Sequence, residues 1–204
     1  MEMEKKPDVY ICGSAIGIYP RNSEEVFTED TLLPDPGTDW IRRLCYSTES
    51  AANMLSEKHE VRTCILRLGV VIGKEAKSIR NMKLPFLLGV GGEIGSGKQA
   101  FPWIHVDDVC KIIDHCCANE TLNGPINAVT FASDTNSTLT AAMASLLHRP
   151  SFFRTPAFIM KGVFGSHRAP LLLEGMKVAP QRLKNSNFKY RYSDLKSALH
   201  EALS

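Results

Sequence analysis

Residues Val61 to Ile72 read VRTCILRLGVVI, a nearly continuous apolar run that holds one buried-looking arginine, Arg67. A strand with one wet face alternates apolar and polar residues. A run that does not alternate is covered on both faces, which is the habit of a parallel strand packed between helices. The run therefore predicts a parallel sheet.

On its N-terminal side, Trp40, Leu44, Ala51 and Leu55 recur with the helix period, with Ile41, Cys45 and Ala52 beside them, and Asp39 can cap this helix. Before it, Val9 to Ile18 (VYICGSAIGI) reads as a buried strand running into a loop, and the polar stretch Pro20 to Thr38 reads as a long surface loop of the kind that tends to be functional. On the C-terminal side, Val109, Ile112, Ile113, Cys116 and Cys117 form one stripe of a helix beginning near Asp107 or Asp108. Gly124 to Val129 is a short strand. Leu139, Ala142, Met143, Leu146 and Leu147 make another stripe, capped near Asn136 or Ser137. Composition shifts around Pro150. The remainder holds a candidate short helix from Phe158 to Phe164, the alternating Phe188, Tyr190 and Tyr192, which read as a half-buried strand, and a terminal helix with the stripe Leu195, Ala198, Leu199, Ala202 and Leu203.

At 204 residues and 44% hydrophobic content the chain can bury a sizeable core. Its formal charge of +2 comes without long basic blocks, so the electrostatic footprint of a dedicated nucleic-acid binder is missing. No apolar run is long enough to span a bilayer, and MEMEKKPD is too charged for a signal peptide. Glu2 and Glu4 count against a mitochondrial presequence. The expected compartment is cytoplasmic, or mitochondrial if a longer form carries a presequence. Cysteines 12, 45, 64, 110, 116 and 117 lie in apolar or periodic segments without metal-ligand spacing, so no metal site is expected. Buried reduced thiols are the favoured reading, and although Cys116 and Cys117 could form a redox pair, both are expected to face the core.

Candidate chemistry is sparse. Gly89 to Asp108 reads GVGGEIGSGKQAFPWIHVDD, in which Gly92, Gly97 and Lys98 have triphosphate-loop spacing. Gln99 stands where Ser or Thr would hold magnesium, and an extended segment follows instead of a helix. Gly95 to Ala100 matches a dinucleotide fingerprint formally but fails on the same context. Tyr192 and Lys196 form the one Tyr-x-x-x-Lys pair, at the start of the terminal helix, where the tyrosine continues an aromatic alternation and reads as structural. Tyr46 has Ser50 four places on and no lysine. His105 and Asp107 either touch a substrate or serve as core hydrogen bond and helix cap; the residues leave both open.

The ordered blocks VYICGSAIGIYP, TCILRLGVVIGKE, MKLPFLLGVGGEIGSGKQAFPWIHVDDV, GPINAV, LLEGMKVAPQRL and NFKYRYSDLKSALHEAL resemble, over nearly the whole chain from about Asp8, the epimerase-family branch of the atypical short-chain dehydrogenases. The resemblance implies an α/β fold: a partial Rossmann-type parallel sheet over residues 1–149 and a smaller C-terminal substrate-side lobe over 150–204. It implies NADP(H) or NAD(H), with Ser14, Leu68, Gly69 and Val70 beside the nicotinamide and Gly95, Gly97, Gln99, Trp103 and His105 on the opposite, substrate-side wall. Two departures follow. The family's glycine-rich dinucleotide loop has no counterpart here, because the chain starts near the fifth strand of that fold, and the usual catalytic tyrosine and lysine are missing. No catalytic residue is therefore assigned, and weak or absent cofactor binding is expected. The expectation is a fragmentary, catalytically impaired form of an oxidoreductase or epimerase whose longer form acts on a small carbonyl or sugar-like substrate. The rival reading is a non-catalytic binding or regulatory module. Neither nucleic acid nor membrane is expected as a partner, while self-association is expected through the uncovered edge of the first strand.

Overall fold

The computed structural model describes residues 5–21, 24–156 and 173–204; the candidate helix from Phe158 to Phe164 lies outside them. The opening run divides into two strands, β3 (Arg62–Leu68) and β4 (Val70–Ile72). The break is Gly69. A Cβ there would lie 2.8 Å from both the Pro102 carbonyl oxygen and Val129 Cγ1. The Gly69 N–H bonds to the Ala128 carbonyl and the Val70 N–H to that of Pro102, so the chain steps from one sheet to the next where only glycine fits.

β3 is the middle of a three-stranded sheet between β1 (Val9–Ala15) and β6 (Gly124–Ala128), parallel to both. β4 pairs in parallel with β5 (Trp103–His105), and a third two-stranded parallel sheet joins β2 (Val26–Phe27) to β7 (Lys177–Val178). Helices α1 (Trp40–His59), α2 (Lys77–Leu87), α3 (Val106–Ala118), α4 (Asn136–Leu147), α5 (Gln181–Asn185) and α6 (Leu195–Leu203), with a short 3-10 turn (Ile16–Ile18) after β1, complete the described elements. Within the strand order expected of the fold, three successive parallel strands with the first at the edge are the run 4-5-6.

Alternation along β3 explains why the run is apolar throughout. Cys64 and Leu66 point to one face and pack with Ile112 and Cys116 of α3, while Ile65 points to the other and packs on Cys12 and Ala52 of β1 and α1. Arg62 belongs to the first face and Arg67 to the second.

Two helices are rotated from their apolar stripes. In α1 the buried residues are Arg42, Cys45, Glu49 and Ala52, while Trp40 and Leu44 face out at 50% and 59% exposure. The reason is electrostatic: Glu49 is drawn inward by a charge partner. In α3, Asp108, Ile112 and Cys116 are buried, whereas Ile113 and Cys117 are exposed, which corrects the expectation that both vicinal cysteines face the core. Asp108 takes the inward place because its carboxylate accepts the backbone N–H groups of Arg191 and Tyr192. The segment carrying Phe188, Tyr190 and Tyr192 is irregular and not a strand. Its backbone is held by those bonds and by the Tyr190 hydroxyl donating to the Val129 carbonyl, and burial keeps that phenol neutral well above its ordinary range.

The last part of the chain shares the core with the first. Leu183 and Phe188 join the cluster around Cys64 and Ile126, Met176 joins that around Ile18 and Tyr19, and Leu195, Ala198 and Leu199 pack with Trp103 and Met143. Glu29, buried, accepts the N–H groups of Asn127, Gln181 and Arg182, so one carboxylate from the long loop ties β6 to the first turn of α5.

Candidate active site

In open α/β sheets, ligands bind beyond the carboxyl ends of the parallel strands. At that end, strand register aligns Ser14 with Arg67 and Arg67 with Asn127. In-register neighbours share a face, so the three form a polar row across the sheet. Glu49 reaches the row from α1, and Tyr19 from the turn that follows β1.

The bonds run in one unbroken chain. The Ser14 hydroxyl donates to Glu49 Oε1 at 2.8 Å. Arg67 grips the same carboxylate with two bonds, Nε to Oε1 at 2.9 Å and Nη2 to Oε2 at 2.8 Å. Its Nη1 donates to the Tyr19 oxygen at 2.8 Å, and that phenol lies 2.8 Å from Asn127 Oδ1 and 2.9 Å from the Thr28 carbonyl. Asn127 Nδ2 ends the chain on the Ala179 carbonyl. Arg67, Glu49, Tyr19 and Asn127 are all buried, so one negative and one positive group neutralise each other out of water. Burial works against the Arg67 charge, but the Glu49 bonds and the neighbouring Tyr19 outweigh it and raise its pKa. Burial raises the Tyr19 phenol despite the pull of Arg67, and it raises the nearby Cys45 thiol, which also contacts Ser14. Both stay protonated.

This fixes the polarity of Ser14. Its single proton is committed to Glu49, so the half-buried oxygen meets anything in the crevice as an acceptor.

The expected nicotinamide-side residues lie together: Ala15 is in register with Leu68, Gly69 follows, and Val70 begins β4. Trp103 neighbours Val70 across β4 and β5, but its ring is fully buried and its indole N–H donates to Asp134 at 2.7 Å. His105 is equally enclosed. Its Nδ1 accepts the Asp107 N–H as the cap of α3, its Nε2 lies 2.9 Å from Glu201, and its ring packs 4.0 Å from that of Tyr192. Gly95, Gly97 and Gln99 form a separate clasp at the start of α4. The carbonyls of Gly97 and Gln99 accept from Ser137 and Asn136, and the Gly95 N–H donates to Thr155. Gly97 has φ of +73°, and a Cβ there would press on the Glu93 carboxylate. A cavity of about 300 Å³ beside the clasp is lined by Glu93, Ser137, Thr140, Phe152 and Arg154 among others. Glu93 bonds to Ser137 and Arg154, which lower its pKa.

Glu49, Arg67, Tyr19 and Asn127 were not among the residues expected at the site. Arg67 stands out in its apolar run, but the apolar stripe of α1 places Glu49 on the outer face, so its partner carries no signal in the sequence. Among the described residues no group of three or more His, Cys, Asp or Glu could hold a metal, and no helix is long and apolar enough to cross a membrane.

The family model described as "NAD dependent epimerase/dehydratase family" matches residues 2–128, and "Domain of unknown function (DUF1731)" matches 155–202. The epimerase family protein SDR39U1 of Bos taurus is 35% identical over 198 residues, 97% of this chain and 66% of that protein. The chloroplastic SDR39U1 homolog of Arabidopsis thaliana is 34% identical over 196 residues, 96% of this chain and 55% of that protein. The crystal structure of human epimerase family protein SDR39U1 (isoform 2) with NADPH superposes with a TM-score of 0.90 at 32% identity, covering 100% of this chain and 68% of that one. This chain thus spans about two thirds or less of the curated relatives it matches.

Proposed function

Because the chain belongs to the NAD dependent epimerase/dehydratase family, we propose that it supplies the nicotinamide-side part of an NADP(H) or NAD(H) site in an oxidoreductase or epimerase acting on a small carbonyl or sugar-like molecule. The observation that carries this reading is the acceptor-oriented Ser14 at the carboxyl end of β1, flanked by the Leu68-Gly69-Val70 step. The fit is chemical: the carboxamide N–H of a nicotinamide, or a substrate hydroxyl, offers a donor to the Ser14 oxygen. When bound, the cofactor supplies or accepts hydride. The chain's own part is to present that acceptor, to hold a proton between Ser14 and Glu49, and to keep the carboxylate in place through Arg67. NADPH in the human relative's structure supports the cofactor class.

No described strand-to-helix turn carries a glycine-rich phosphate loop. Each charge-assisted hydrogen bond contributes about 1.5–3 kcal/mol. Lacking two or three to a pyrophosphate costs roughly 3–9 kcal/mol, or some two to six decades in affinity. The 204-residue chain should therefore bind NADPH no better than millimolar. Saturation-transfer NMR tests the reading, with stronger transfer expected to the nicotinamide protons than to the adenine protons and a loss of the nicotinamide signal in Ser14→Ala. Transfer dominated by adenine, or low-micromolar affinity, would overturn it.

The same reading includes an interaction through β1, which among the described strands pairs only with β3. Its sequence, VYICGSA, holds no charge or proline to discourage a further strand. Amide exchange should be faster in Val9–Ala15 than in Ile65 to Leu68, and sedimentation should show concentration-dependent association. Strong protection of β1 in a dilute monomer would count against it.

A further inference from the structure

The end of α2 is apolar where it meets solvent. The helix buries Ile79 and Phe86 on its inner face, while Leu84 and Leu87 are exposed, as are Leu88 (68%) and Val90 just beyond its last turn. Fraying does not explain this. Gly89 has φ of +75°, the Gly89 N–H bonds to the Phe86 carbonyl and the Val90 N–H to that of Pro85, a helix stop that satisfies two terminal carbonyls and fixes the turn. Two exposed aromatics lie beside it. The Phe153 backbone passes so close to Gly92 that a Cβ there would lie 1.4 Å from its carbonyl oxygen, which brings Phe153 and the 91% exposed Phe152 next to the segment that carries Val90.

Behind this tip the same face is cationic. Lys77 and Arg80 precede Leu84 and Leu87 at helix spacing, so the four share one side, and all are exposed. Lys74 is exposed just before the helix, and Lys83 is half-buried within it. From Lys74 to Val90 there are four basic residues and one acidic residue, Glu75. None of the four basic side chains is in an ion pair among the described residues. The formal charge of +2 for the whole chain hides this concentration, so composition alone gives no sign of an anionic partner.

We propose that the end of α2, with Phe152 and Phe153, docks on an anionic lipid surface, the apolar side chains entering the boundary between headgroups and acyl chains and the cations meeting the headgroups. Apolar groups held at such a boundary settle about 5–10 Å into it. At about 1.5 Å of rise per residue, Arg80 lies about 12 Å behind Leu88. The leucines therefore reach the acyl chains while the guanidinium stays level with the headgroups, and Lys77 follows nearly one turn further back. A second copy of the chain fits this face poorly, because a two-fold contact sets a patch against itself and would press unpaired cations together. Nucleic acid would take the cations but leave the leucines and phenylalanines in water. Only a surface that is anionic outside and apolar beneath satisfies both ends of the face.

Flotation of the 204-residue chain with extruded vesicles tests the assignment. The chain should float with phosphatidylcholine vesicles that contain phosphatidylserine, float less as salt is raised, and stay behind with phosphatidylcholine alone. Each cation near an anionic surface contributes a factor of about five, so Lys77→Gln combined with Arg80→Gln should lower the partition coefficient roughly 25-fold. Leu87→Ser combined with Leu88→Ser should abolish flotation and leave the circular-dichroism melting curve in place, because both side chains are exposed. Absence of flotation on the anionic vesicles at low salt, equal flotation on both kinds of vesicle, or flotation indifferent to either pair of substitutions would overturn the proposal. So would a lipid-free dimer in sedimentation velocity that the two serine substitutions dissociate, since the face would then belong to a second copy.

Discussion

β3 carries two arginines, one near each end, and they are neutralised in different ways. Arg67 points to the α1 face and is met by a carboxylate, with two bonds to Glu49 in a setting closed to water. Arg62 points to the α3 face and is met by the carbonyl dipoles that end α3, with no carboxylate among its hydrogen bonds. A full opposite charge silences Arg67 as an electrostatic influence on anything beyond the network. Dipoles leave Arg62 with charge to spend on a neighbour, and the neighbour is a thiol. The end that faces the crevice is therefore electrostatically quiet and the opposite end is not.

Substitution should break the two ends unequally. Arg67→Met strands a buried carboxylate, for which the cost is about 3–5 kcal/mol. Thermal unfolding followed by circular dichroism should show it, and adding Glu49→Leu should recover most of the loss, because removing both charges leaves only a packing change. Arg62→Met should cost less, about 1–3 kcal/mol, since it leaves neutral carbonyls, and not a buried charge, without their partner. Equal losses would mean that the carboxylate at one end and the dipoles at the other are interchangeable.

A third measurement separates the ends by pH. The Cys64 thiol is lowered in the folded chain from 9.0 to about 7, so between these values the folded state holds fewer protons than the unfolded one. That stabilisation is complete above 9.0 and is lost as pH falls through 7. The stability of the wild type relative to Cys64→Ser should rise across this window by on the order of 1 kcal/mol, whereas Arg67→Met relative to wild type should show no such slope. Tyr192→Phe sets the floor. Its ring packs on His105 while its hydroxyl serves neither network, so stability should change by less than about 0.5 kcal/mol, with any turnover untouched.

The layers were legible in the sequence because they rest on local periodicity. A run without alternation signalled the doubly covered β3, and spaced apolar residues signalled the helices. The break at Gly69 was not legible, since it exists because the Pro102 backbone passes over it from far along the chain. The site was half legible. Ser14 and the Leu68-Gly69-Val70 segment follow from the family resemblance, and Arg67 stands out as a charge deep in an apolar run. Its partner was hidden because apolarity alone turns α1 by about one residue, which puts Trp40 inward and Glu49 out. The row of Ser14, Arg67 and Asn127 is a property of strand register, which sequence spacing does not contain.

The Glu29 carboxylate gives the molecule a history as well as a shape. It lies 98 residues before Asn127 and 152 before Gln181, and it bonds to the backbone of both. Contacts of such separation close only after the chain has met the entropy of large loops, which grows with the logarithm of their length and slows folding. On the ribosome Glu29 must wait in water until α5 has emerged. Until then β6 has one backbone donor without its acceptor, and the cluster around Tyr19 lacks Met176. The strands can be in place early, but the crevice end of the sheet is finished only when nearly the whole chain has been made.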